Sequence, residues 1–241
     1  IRAHSPAITT VAPERTRDEL SRILTEAHPR RGFELLDSLD LLPHILPEVK
    51  AMQGVQQPPE YHPEGDVWTH TLLMLEAMRQ PTLTQAWGVL LHDVGKPLTF
   101  ERTDRIRFNG HAELGARISD AILHRLRYPT HVIEQVHGLV AQHMKFMSVK
   151  SMRESTRKRF LRQPLMPELL ELHRLDCQSS HGRLDAYEFC VHQLATLPPE
   201  SLAPARLLTG DDLIALGVPP GPQLGELLRK LEDAQLEGAL H

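Results

Sequence analysis

The stretch that decides the reading is Leu90-Leu91-His92-Asp93-Val94-Gly95-Lys96. It closes a helical segment, 83–94, that is almost wholly apolar along its Ala86, Val89 and Leu90 face. Gly95 and Pro97 then stop the helix. An aspartate beside a histidine at such an end is costly to bury unless both find partners. Further helical histidines and carboxylates follow one per element: His70, His111, His143 and Asp176. Neutral imidazole and ionised carboxylate suit Zn, Mn, Fe or Mg. A helical bundle can point such side chains inward from facing helices to build one site. The chain has 15 histidines, and most must be ordinary surface or core residues, so the number alone decides nothing and placement decides everything.

Working outward, the pattern predicts helices over 13–27, opened by Pro13, and over 31–41 around Phe33, Leu36 and Leu39. After the Pro-rich loop 56–63, a helix over 64–79 carries the stripe Val67, Thr71, Met74, Leu75 and Met78, with His70 beside it. The alternation of Phe100, Arg102, Ile106, Arg107 and Phe108 around Thr103-Asp104 predicts a small hairpin or ordered loop. Helices are expected over 111–127, 130–146, 151–162, 166–184 and 186–196, with Ser151 and Glu154 forming a capping box. A linker over 198–204 leads to a short helix capped by Thr209 and ending at Gly217. A last helix carries Leu224, Leu227, Leu228 and Leu231 on one side. The fold class is all-α with at most one hairpin.

Composition narrows the classes. The 241 residues are 41% hydrophobic but only 5% aromatic, so Leu, Ala and Ile must fill the interior. No apolar stretch is long enough for a bilayer, and 1–11 has neither the basic start nor the apolar run of a signal peptide. Cys177 and Cys190 have no CxxC partner and give no disulfide framework, which fits a reducing cytoplasm. The net charge of −4 excludes indiscriminate binding of nucleic acid by the whole chain. The cations are clustered, however: Lys145, Lys150, Arg153, Arg157, Lys158, Arg159 and Arg162 face a single acid, Glu154. That run is either a solvated helix face or a strip contacting RNA phosphates through Arg157, Lys158 and Arg159. The start at Ile1, in what reads as the end of a helix before a break at Ser5-Pro6, suggests that an N-terminal region is absent.

The set His70, His92-Asp93 and Asp176 resembles the signature of the HD superfamily of metal-dependent phosphohydrolases, and His92-Asp93-Val94-Gly95-Lys96 matches its best-known segment. The segments His62-Pro63-Glu64-Gly65-Asp66-Val67-Trp68-Thr69-His70, Gly110-His111, 157–161, 173–182 and 209–238 are similar to one group of that superfamily. This group is the HD-bearing body of bacterial CCA-adding tRNA nucleotidyltransferases and poly(A) polymerases. The likeness runs along essentially the whole chain and divides it into a neck-like segment over 1–55, an HD metal-binding domain over 56–197 and a helical tail over 198–241. It implies an HD-type helical bundle.

By this resemblance, His70, His92, Asp93 and Asp176 coordinate a first divalent ion, of Mg, Mn, Ni, Zn, Co or Fe. Asp93 bridges to a second ion held by His111 and His143. Met144 stands where some two-metal relatives carry another histidine, so the expectation is one or two ions. Bound metal lowers the pKa of water from about 15.7 to near 7, which supplies hydroxide for attack on phosphorus. Asp93 and Lys96 are the expected catalytic residues, with Lys96 offsetting charge on the phosphoryl oxygens. The expected activity is hydrolysis of nucleotide phosphates or RNA ends such as 2′,3′-cyclic phosphates. The alternative is a non-catalytic body that binds tRNA. Nucleotide addition is not expected, because it needs a Gly-Ser strand turn and two carboxylates one residue apart, and the sequence has neither. His62 and His181 lie near the motif segments and read either as substrate contacts or, the stronger expectation, as plain surface histidines. His137, six residues before His143, cannot share its helix face.

Overall fold

A computed structural model describes every residue except Ile1, Ala27 and His241. The architecture is all-α. Its helices are α1 (Pro13–Thr25), α2 (Pro29–Ser38), α3 (Leu42–Ile45), α4 (Pro47–Lys50), α5 (Val67–Ala77), α6 (Leu83–Leu91), α7 (His111–Arg125) and α8 (Thr130–Gln142). They continue with α9 (Glu154–Leu161), α10 (Met166–Gln178), α11 (Asp185–Thr196), α12 (Pro199–Leu202), α13 (Gly210–Ala215) and α14 (Pro222–Leu236). The expected hairpin is present as β1 (Glu101–Arg102) and β2 (Ile106–Arg107), antiparallel, with Glu101 opposite Arg107. Tight 3₁₀ turns occupy Arg2–Thr10, Lys96–Leu98 and His143–Ser151. No helix among the described residues is long and apolar enough to cross a membrane.

The helices that carry the site form for local reasons. Asp66 caps α5 by accepting from Thr69 N at 2.8 Å, and the whole stripe of Val67, Thr71, Met74, Leu75 and Met78 is buried. Thr82 caps α6 by accepting from Gln85 N at 3.1 Å. Helix α6 stops at Leu91, shorter than the pattern predicts, so His92 is its C-cap and Asp93 lies in the turn beyond. A side chain at a helix end is freer to reach sideways than one inside a turn. Helix α8 likewise stops at Gln142 and leaves His143 as its C-cap. The Ser151–Glu154 capping box does not form. Ser151 lies in the 3₁₀ segment with its hydroxyl on Ser148 O, and Arg153 takes the N-cap position without a side-chain bond. Thr209 does cap α13, in a reciprocal box with Asp212.

The chain forms two compact units. The first comprises the residues up to Met144 together with Pro167–Leu184; the second comprises Lys145–Met166 and the residues from Asp185 onward. The expected division at 55 and 197 follows the order of the chain, whereas these units follow contact. Leu20, Leu24 and Phe33 of the neck-like helices are buried, with α1 against α6 and α2 against α5, so that segment belongs to the first core. Helix α9, expected in the metal-binding body, packs instead with α14 in the second unit.

Candidate metal centre

Every residue of the centre lies in the first unit. His70 comes from the second turn of α5, His92 and Asp93 from the end of α6, His111 from the first residue of α7 and His143 from the end of α8. Asp176 comes from α10. Two glycines make the convergence possible. A Cβ on Gly95 would sit 2.2 Å from His111 O, so only glycine lets the turn after Asp93 lie against the start of α7. Gly110, at φ +74°, turns the chain into α7 and sets His111 on its first position.

His70, His92 and Asp93 are at most 2% exposed. Their donor atoms lie within 4.8 Å of one another, as do those of Asp93, His111 and His143. His92 Nε2 is 3.1 Å from Asp93 Oδ2, while Asp93 Oδ1 lies 3.6 Å from His111 Nε2 and 3.9 Å from His143 Nε2. The two carboxylate oxygens of Asp93 therefore serve two sides of one cluster. Asp176 joins through His70, with Oδ1 3.2 Å from Nε2. Both ring nitrogens of His70 and Nε2 of His92 are buried and make no hydrogen bond, although carboxylate oxygens lie near all three.

Tautomers decide what this packing means. Nδ1 of His92 lies 2.9 Å from Val89 O, that of His111 2.8 Å from Phe108 O, and that of His143 2.7 Å from Val140 O. A carbonyl only accepts, so each Nδ1 carries the proton and each Nε2 of a neutral ring presents a lone pair. His111 Nε2 and His143 Nε2 face each other at 3.2 Å. Burial lowers the pKa of both rings, that of His143 to about 3, so neither is charged near neutral pH. Two facing lone pairs repel unless a cation lies between them. The donor set therefore fits a divalent ion on each side of Asp93. Imidazole nitrogens paired with carboxylates are the ligands such ions take, and backbone acceptors on the opposite nitrogens are the usual orienting partners.

The electrostatics agree. Burial alone would raise Asp93, but His92 and Lys96 outweigh it and hold the carboxyl far below its ordinary value. Asp176 is held down in the same way, chiefly by His70. Burial alone would lower His70, yet Asp176 and Glu64 outweigh it and raise the ring to about 9. Lys96 is itself buried, with Nζ 2.7 Å from Asp93 Oδ2, 2.6 Å from Gln57 Oε1 and 5.2 Å above the Phe108 ring. Lys96, expected to offset charge on phosphoryl oxygens, is here paired with Asp93.

Residues 67–177 match the family described as "HD domain". These residues are an HD domain. Residues 1–53, which precede the HD domain, match a second family described as "Probable RNA and SrmB- binding site of polymerase A". The chain is 37% identical to the CC-adding tRNA nucleotidyltransferase of Thermus thermophilus, over 99% of this chain and 56% of the relative. It is 36% identical to the A-adding tRNA nucleotidyltransferase of Deinococcus radiodurans, over 93% of this chain and 55% of that protein. Identity to the Multifunctional CCA protein of Pseudomonas paraeruginosa is 32%, over 98% and 58% respectively. The chain thus spans slightly more than half the length of the curated relatives it matches.

The cations proposed from sequence to grip RNA belong to the second unit. Within the second unit, Lys158 is buried, with Nζ 2.7 Å from both Leu236 O and Glu154 Oε1. Arg159 holds Glu232 at 2.7 Å and Asp233 at 2.5 Å, while Arg162 and Arg153 pair with Glu232 and Glu237. Arg157 packs 5.7 Å over the Phe189 ring. Arg153, Arg159 and Arg162 fasten the α9 segment to α14, because the acids that neutralise them lie 70 or more residues further on, and Arg157 reaches α11. His137 pairs with Asp120 at 2.9 Å, outside the HD domain's cluster. Sequence reading passed over Gln57 and Glu64 and gave His62 no place in the metal centre, although the side chains of Glu64 and His62 crowd His70. The only signal for them was their place in the quoted 62–70 segment.

Proposed function

We propose that this chain is a metal-dependent phosphohydrolase acting on nucleotide phosphates or RNA ends such as 2′,3′-cyclic phosphates, within a tRNA nucleotidyltransferase-like protein. The observation that carries this reading is the pair of opposed Nε2 lone pairs of His111 and His143, 3.2 Å apart beside Asp93. His70, His92, Asp93 and Asp176 hold one ion; Asp93, His111 and His143 hold the other. When bound, such ions supply Lewis acidity toward a phosphoryl oxygen and acidify water near neutral pH. Asp93 spans both sides as an ionised carboxylate, and Lys96 keeps it ionised from the protein side. Asp176 is the most accessible of the ligands, its side chain 26% exposed against 0% for His70, and it marks the side open to substrate.

The test is metal content by elemental analysis of protein purified without chelator, together with turnover on a panel of phosphomonoesters and cyclic nucleotides with Mn, Ni, Mg or Co. Asp93→Ala is expected to abolish both metal uptake and turnover. Protein with stoichiometric metal that hydrolyses nothing on the panel would sink the enzymatic reading.

A second reading, a body that binds tRNA, is favoured by the match of residues 1–53 to an RNA-binding family. It places RNA contacts on that segment, since Lys158 and Arg159 are occupied. It predicts tRNA affinity that falls with salt and survives Asp93→Ala. Absence of tRNA binding at low salt removes it.

A further inference from the structure

Three of the four histidines in the centre are oriented by backbone carbonyls; His70 is not. Its Nδ1 lies 2.7 Å from Oε1 of Glu64, a carboxylate only 7% exposed on the loop before α5, as an ion-pair contact without hydrogen-bond alignment. The same oxygen lies 2.9 Å from His62 Nδ1, and the His62 ring stands edge-on to His70 with centroids 5.0 Å apart. Glu64 Oε2 is buried and makes no hydrogen bond. A buried carboxylate is costly without a strong partner. A contact of 2.7 Å between a ring nitrogen and a carboxylate oxygen is attractive only when the nitrogen bears the proton. Of the two carboxylate contacts the one at Nδ1 is the shorter, so in the neutral ring that binds a metal the proton stays on Nδ1, and Nε2, 3.2 Å from Asp176, presents the lone pair.

We propose that Glu64 is the positioning residue of the metal centre, fixing the His70 ring through its Nδ1 proton so that Nε2 is presented to a divalent ion. A carboxylate acceptor differs from a carbonyl because its full charge makes the ring a stronger donor. Glu64 thus strengthens the ligand that α5 contributes, at the one histidine no helix-end carbonyl orients. His62 shares Glu64 and closes the outer side of the pair. The loop is held for this work at its far end: Asp66 caps α5 and also accepts from Gly54 N at 2.5 Å.

This inference rests on the metal-binding half of the proposed function and not on hydrolysis. The experiment is titration of the metal-free full chain with Co(II), reading both affinity and the ligand-field absorption bands, with circular dichroism as a folding control. Glu64→Gln is expected to weaken binding about 10–100-fold and to shift the bands. Glu64→Asp, which keeps the charge one methylene further away, is expected to lose less. His62→Ala keeps the Glu64–His70 contact and is expected to bind close to wild type. Wild-type affinity and bands in folded Glu64→Gln would overturn the proposal. So would a loss in His62→Ala equal to that in Glu64→Gln, since the loop and not the contact would then be responsible. If Glu64→Gln does not fold, Glu64→Asp decides alone: reduced affinity with shifted bands supports the role, wild-type values refute it. Protein that binds Co(II) as expected but hydrolyses nothing ends the phosphohydrolase reading and leaves this inference intact.

Discussion

The HD centre and the α9–α14 seam are both dense in charged or titratable side chains, and they are built on opposite rules. In the seam, every described contact of Arg159 and Lys158 is with an acid or a carbonyl, so each cation finds its complement inside the protein. In the centre, lone pair meets lone pair, His111 against His143, and Asp93 Oδ2 lies 3.1 Å from the unbonded Nε2 of His92. Matched charges tie a fold together. Mismatched donors, buried at such cost, are the mark of a site completed by something positive.

The comparison is sharpened or broken by four measurements. The largest effect is expected from pH. With His70 raised to about 9 in the metal-free protein, a proton competes with metal for Nε2 below that value. Affinity for the first ion should therefore fall about tenfold per pH unit from 9 downward, roughly a thousandfold by pH 6. A pH-independent affinity over that range breaks the assignment of His70. Next, His143→Ala should remove one ion of two while leaving the other bound, read as stoichiometry by elemental analysis. Unchanged stoichiometry means that His111 and His143 hold no separate ion.

The smaller effects belong to the seam. Lys158→Met leaves Leu236 O without its donor and should cost about 1–3 kcal/mol of stability in denaturant unfolding. It should leave metal content unchanged. Arg159→Ala, whose pairs with Glu232 and Asp233 are partly exposed, should cost under about 1 kcal/mol and less at high salt. Neither should weaken tRNA binding more than it weakens stability. A selective loss of RNA affinity in Arg159→Ala would return these cations to the role that sequence suggested.

Much of the fold was legible because it depends on local patterning. The stripe from Val67 to Met78 has helical period and is buried as read, and the alternation around Thr103-Asp104 became a two-stranded hairpin. Helix ends were less legible. Helix α6 and α8 each stop before a histidine, which becomes the C-cap, and the periodicity of the flanking residues does not mark that end. Ser151 had the spacing for a capping box and lost to the 3₁₀ segment around it. The seam was not legible because a run of cations over 145–162 shows its own charge but not the acids at 232, 233 and 237 that come to meet it.

The sequence by itself determined the all-α class, the helix that carries His70 and the His92-Asp93 doublet at an apolar helix end. Periodicity and helix stops act over a few residues, and so can be read along one strand of text. Only the tertiary structure decided that Asp93 faces two sides, that Lys96 is spent on Asp93, and that Glu64 stands behind His70. Tautomers, lone-pair directions and ion-pair partners depend on which atoms meet across helices distant in the chain, and spacing does not encode that.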